Sequence, residues 1–110
     1  MKIVDKKTFL TLPEGTFFCK GYRWVFYDIC IKGETLSEID FYYKSLCTMQ
    51  SNNSEDYVDH LENSLSEGIS YSINHSEMRD GTYDLNDLFL IFEKNDLVCI
   101  RDDINKYLQQ

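Results

Sequence analysis

TFFCKGYRWVFYDICIK, residues 16–32, decides the fold. Two runs rich in aromatic and β-branched residues flank a Gly21-Tyr22 break, the pattern of two antiparallel strands joined by a tight turn. The first run is Thr16 to Lys20 and the second Trp24 to Lys32. Side chains alternate across a strand, so Val25, Tyr27, Ile29 and Ile31 share one face, while Trp24, Phe26 and Cys30 share the other with Asp28. Lys32-Gly33-Glu34 reads as the next turn, and Ile39 to Leu46 as a third strand. An antiparallel three-stranded meander is therefore expected at the centre of the molecule.

Towards the N-terminal side, Asp5 is placed to cap a short helix through Leu12, which Pro13 ends. Towards the C-terminal side, Ser54 is placed to cap a helix with Glu55 and Asp56 in its first turn, where the helix dipole favours acids. Tyr57, Val58, Leu61 and Leu65 recur at helical spacing, and Gly68 is its natural stop. Ile69, Tyr71 and Ile73 alternate as a fourth strand, and Leu88 to Phe92 is a continuous apolar fifth. Asn95 or Asp96 then caps a last helix whose stripe is Leu97, Ile100, Ile104, Tyr107 and Leu108. The expected architecture is α+β: one domain over residues 1–110, a mostly antiparallel five-stranded sheet with three helices, in the order α-βββ-α-ββ-α.

Composition bounds the function classes. The chain has 110 residues and a formal charge of −8, which disfavours broad binding to a nucleic-acid backbone. No apolar run reaches the length of a membrane span, and the opening residues Met1 to Lys6 are too charged for a secretory leader. The four cysteines, 19, 30, 47 and 99, lack any C-x-x-C spacing and are expected as reduced core thiols in a cytoplasmic protein, with Cys99 at a packing position.

The spacings give no metal or cofactor site. A calcium loop begun at Asp80 or Asp84 has Ile91 or Asn95 where its twelfth-position acid should stand. His60 and His75 lack the short-spaced partners zinc needs, and His60 is expected in a solvated part of the second helix. No phosphate-cradling glycine loop and no nucleophile signature are present, so catalysis is not expected.

The charge is divided unevenly. Residues 1–50 carry seven Lys or Arg against six Asp or Glu, whereas residues 51–110 carry four against thirteen. Ten of the sixteen aromatic residues lie in the first half. Two candidate surfaces follow. One is an acidic face of Glu55, Asp56, Asp59, Glu62, Asp84 and Asp87, which would steer a basic protein partner. The other is an aromatic and basic cluster of Lys20, Tyr22, Arg23, Trp24 and Lys32, in which an Arg between two rings could stack a nucleotide. For each, a bland alternative stands beside the functional one: a solvated acidic face that keeps the chain soluble, and a hairpin whose Trp24 is core. An aromatic surplus on one sheet face also allows a homodimer to hide it.

Phe9-Leu10-Thr11-Leu12-Pro13-Glu14-Gly15-Thr16, Ile31-Lys32-Gly33-Glu34-Thr35, Asp40-Phe41-Tyr42-Tyr43 and Arg79-Asp80-Gly81 resemble segments of small accessory proteins encoded by phages and mobile elements. That resemblance implies a counter-defence role. The leading expectation is a non-enzymatic inhibitor, like an anti-CRISPR, that blocks the basic site of a host bacterial defence protein. A sponge sequestering a nucleotide immune messenger is the alternative, and a small hydrolase or transferase comes third.

Overall fold

A computed structural model describes all 110 residues. The elements, in chain order, are β1 (Lys2–Asp5), α1 (Lys6–Phe9), β2 (Phe17–Tyr22), β3 (Val25–Thr35), β4 (Phe41–Ser45), α2 (Ser54–Glu67), β5 (Met78–Arg79), β6 (Leu88–Ile91) and α3 (Lys94–Leu108). The fold is α+β, with three helices and one antiparallel sheet. The sheet has six strands rather than five, in the order β1-β6-β2-β3-β4-β5. The extra strand is β1, an edge strand with no fully buried residue and hence no apolar face for the sequence to advertise.

The segment around residues 69–73 does not join the sheet. Ile73 forms a single bridge with Met49, and the Gln50 amide donates to the Ser72 carbonyl at 2.7 Å. The strand beside β4 is instead Met78–Arg79, paired to Tyr43 and Tyr42.

The core is built on phenylalanine. Asp5 caps α1 by accepting from the Thr8 amide at 2.8 Å, and the four-residue helix lays Phe9 on the sheet. Phe9 stacks on Phe89 with centroids 3.9 Å apart and meets Phe18 and Phe41 edge-on at 4.7 and 4.9 Å. Cys30 and Ile91 complete the buried cluster. Cys19 and Cys30 are buried thiols as expected; Cys47 and Cys99 are exposed, because neither the segment after β4 nor α3 packs against the core.

α2 and α3 bury none of their residues. Asn53, one residue before the expected Ser54, caps α2 by accepting from the Asp56 amide, and Gly68 ends it at φ +71°. Glu93, not Asn95 or Asp96, opens α3, and Asp96 closes a reciprocal capping box from the third helical position. With both helices standing off the sheet, the radius of gyration is 15.7 Å. A compact chain of this length would have about 13 Å.

Candidate functional site

The β2–β3 hairpin closes with two residues. Tyr22 pairs with Val25, leaving Arg23 and Trp24 as the turn. Both take positive φ, +52° and +71°, as a two-residue type I′ turn requires. Such turns favour Asn-Gly, and neither Arg nor Trp relieves the clash of a β-carbon in this region. That missing Asn-Gly signal is why the sequence places the break at Gly21-Tyr22 instead.

Gly21 has a different task. A β-carbon there would lie 2.2 Å from the Val25 carbonyl oxygen, so glycine lets the hairpin fold tightly behind the turn. The register shift between Cys19 and Gly21 marks the same place as a bulge.

This geometry thrusts rings into solvent. Trp24 is 76% exposed, and Tyr22, Val25 and Tyr27 are exposed around it. The Arg23 guanidinium sits 5.3 Å from the Tyr22 ring centroid, a cation–π contact that braces the tip. Trp24 is thus no core residue, and the tip is a convex aromatic knob with one cation. Val25 and Tyr27, absent from the sequence-based cluster, belong to it.

The other two members of that cluster are engaged inside the protein. Lys20 Nζ donates to Asp80 at 2.8 Å and to Thr82 at 2.9 Å, and lies 3.1 Å from Asp87. Lys32 is buried, donates to Thr35 Oγ1 at 2.7 Å and lies 5.8 Å from the Phe9 ring centroid. The structure therefore brings together Tyr22, Arg23 and Trp24 but leaves Lys20 and Lys32 in internal roles.

Two buried carboxylates hold the loop after β5. Asp80 also lies 3.5 Å from Lys6, whose side chain is fully buried at the start of α1. Burial pushes the Asp80 carboxyl up, but the hydrogen bonds from Lys20 and Thr82 outweigh it and hold it below the usual carboxylate range. Lys20 is balanced the same way: burial pulls it down, and its bonds to Asp80 and Asp87 leave it raised. Asp40 accepts from Arg79 and from the amides of Gly81 and Phe41. Those bonds overcome desolvation and depress its carboxyl as well. Lys6, Asp40 and Arg79 escaped the sequence reading, since no local pattern links positions so far apart.

A cavity of about 220 Å³ opens beside this network, lined by Lys20, Asp28, Cys30, Tyr43 and Asp80 among others. Burial, then the neighbouring Asp28, pushes the Cys30 thiol up to about 12, so it stays protonated at neutral pH. Lys20 donates to Asp80 and Thr82 and forms an ion pair with Asp87, so its charge is matched inside the protein.

The acidic residues divide. Glu55, Asp59 and Glu62 are exposed on α2 and form no ion pair, and Asp84 is exposed in the loop before β6. Asp56 is half-buried, accepting from the Asn52 amide at 2.9 Å and lying 3.2 Å from His60. Asp87 is buried against Lys20 and so leaves the expected acidic surface. His60, expected in solvent, donates from Nδ1 to the Gln50 carbonyl at 2.8 Å and stacks on Tyr71 at 4.0 Å. These contacts tie α2 to the segment around residues 70–72.

α2 and the hairpin tip leave the same end of the sheet. Ser45 pairs with Cys30, and the Leu46 amide donates to the Ile29 carbonyl, so β4 runs towards the turn that starts β3. The chain continues from there into α2. The segment that leads to α2 thus leaves β4 in the direction of the hairpin tip.

No protein-family model matches the chain, and comparison with curated proteins and with solved structures likewise gives no match.

Proposed function

We propose that this protein is a non-enzymatic binding module that holds a protein target at the hairpin end of its sheet. The observation that carries this reading is the Arg23-Trp24 turn. It keeps an aromatic side chain in solvent at a conformational cost that Asn-Gly would avoid. Trp, Tyr and Arg are the residues that dominate protein interfaces, and Trp24, Tyr22 and Arg23 are contiguous here. Glu55, Asp59 and Glu62, unpaired on α2, suit a target with a basic site and would speed its approach. The resemblance to proteins of phages and mobile elements makes a bacterial defence protein, blocked at its nucleic-acid site, the proposed target.

Trp24 is the only tryptophan, so its fluorescence reports the tip directly. Tagged protein captures the target from defence-expressing bacteria, and the purified target then titrates the fluorescence. The emission should shift blue on binding; in titration calorimetry, which needs no tryptophan, Trp24→Ala should weaken affinity about 30-fold or more, and added salt should weaken it further. A target that binds Trp24→Ala and a triple Lys variant at 55, 59 and 62 as tightly as wild type would refute the proposal.

A further inference from the structure

α3 buries little against its own chain: Asp96, Leu97 and Val98 are half-buried at its start and the rest of the helix is exposed. None of its fifteen residues is buried, although Leu97, Ile100, Ile104, Tyr107 and Leu108 form one stripe with the three-and-four spacing of a coiled-coil seam. Ile104 is 52% exposed and Tyr107 72%. An isolated helix of this length is marginal in water, so a partner for the stripe would also stabilise the helix.

The charges beside the stripe indicate which partner. On a helical wheel, Lys94 and Arg101 lie along one edge of the seam and Asp96 and Asp103 along the other. A parallel pair places the acidic edge of one helix against the basic edge of its mate, with Asp96 facing Arg101 of the second copy, twice by symmetry. An antiparallel pair would set acid against acid. Asp96 caps α3 and takes the Met1 ammonium through Oδ2, and it makes no contact shown through Oδ1. Arg101 bonds only its exposed neighbour Asp102, an exchangeable partner.

We propose that two copies of this chain pair through α3, in parallel and in register. Ile100, Ile104, Tyr107 and Leu108, 36%, 52%, 72% and 70% exposed, are the apolar surface that pairing covers, an interface at the small end of specific ones. β6 runs antiparallel to β2, with Ile91 opposite Phe18, so α3 leaves the sheet at the end away from the hairpin turn. Pairing there leaves both hairpin tips free.

Sedimentation equilibrium of the full chain tests this. Wild type at about 100 μM, a concentration suited to an interface of this size, should show twice the 13.0 kDa chain mass. Ile104→Asp should show the single-chain mass while the sheet signal in circular dichroism persists, because Ile104 is not part of the core. Arg101→Asp, at an exposed site, should weaken pairing about ten-fold by turning two attractions into repulsions. Ile104→Cys, with Cys47 and Cys99 changed to Ser, should cross-link on oxidation, because a parallel in-register pair sets residue 104 opposite itself. A monomeric wild type, or a dimer that both Ile104→Asp and Arg101→Asp leave intact, overturns the proposal. A dimer that Ile104→Asp dissociates but Ile104→Cys fails to cross-link overturns the parallel register.

Discussion

Replacing Trp24 by glycine and, separately, by alanine isolates the strain in the hairpin turn. Both variants delete the indole, so both lose whatever the exposed ring contributes to the fold. They differ in one respect: alanine must hold φ near +71° with a β-carbon and glycine holds it freely. The β-carbon penalty in this region is about 1–2 kcal/mol. Glycine gives back about 0.5–1 kcal/mol through the greater freedom of its unfolded chain. Trp24→Gly should therefore be more stable than Trp24→Ala by roughly 0.5–1 kcal/mol, reversing the usual order of these residues in a strand or helix. For a domain of this size the difference corresponds to a melting temperature about 2–4 °C higher. Urea unfolding followed by far-ultraviolet circular dichroism measures it, since neither variant retains a tryptophan, and the slopes must agree for the midpoints to be compared. An alanine variant as stable as the glycine variant would show that the turn is not held in the left-handed region. The proposed reason for an exposed Trp24 at that place would then fall.

The other predictions concern the interior. Asp80→Asn should cost about 3 kcal/mol, because it leaves Lys6 and Lys20 without their shared carboxylate in a buried setting; chemical denaturation checks it, and a loss below about 1 kcal/mol would mean that the network is solvated. Asp40 and Asp80 are both depressed below the ordinary carboxylate value, so the stability they supply is complete above about pH 4 and drains as pH falls through their folded values. Urea midpoints measured from pH 7 to 2 should be level with respect to these groups and then drop, and a rise on acidification would contradict the assignment. In thiol titration at pH 8, Cys47 and Cys99 should react at once while Cys19 and Cys30 react only on unfolding, since burial raises both buried thiols.

What the sequence discloses here is what is periodic. The meander, α2 and α3 are legible because alternation and helical spacing are local signals, and the Gly68 stop and the Asp5 cap are local too. β1 was hidden because an exposed edge strand needs no apolar face, and β5 because two residues cannot show a period. The turn was misplaced by two residues because Arg23-Trp24 carries none of the usual turn chemistry. Charge gave the least reliable guide. Lys20, Lys32 and Asp87 look like surface groups in isolation, and only the folding of residues 6, 20, 80 and 87 onto one place makes them interior. Exposure of Trp24 follows from the same limit, since a strand-like pattern cannot say which strand end is bare.

The polar interior and the bare exterior are linked. The buried apolar cluster has six residues, four of them phenylalanine, and it lies under α1 alone. One short helix cannot cover a six-stranded sheet, and the loop after β5 lies over part of the remainder through Lys20, Asp80 and Asp87. A buried ion pair adds little net stability, but losing one partner is costly, so such a network fixes the loop in one place more than it strengthens the fold. α2 and α3 bury none of their residues against the sheet, and their stripes stay largely in solvent with Leu65 90% exposed. A domain built so commits only the four-residue α1 to its core. Both long helices and the hairpin tip keep exposed apolar side chains, the surfaces that the proposed associations would use.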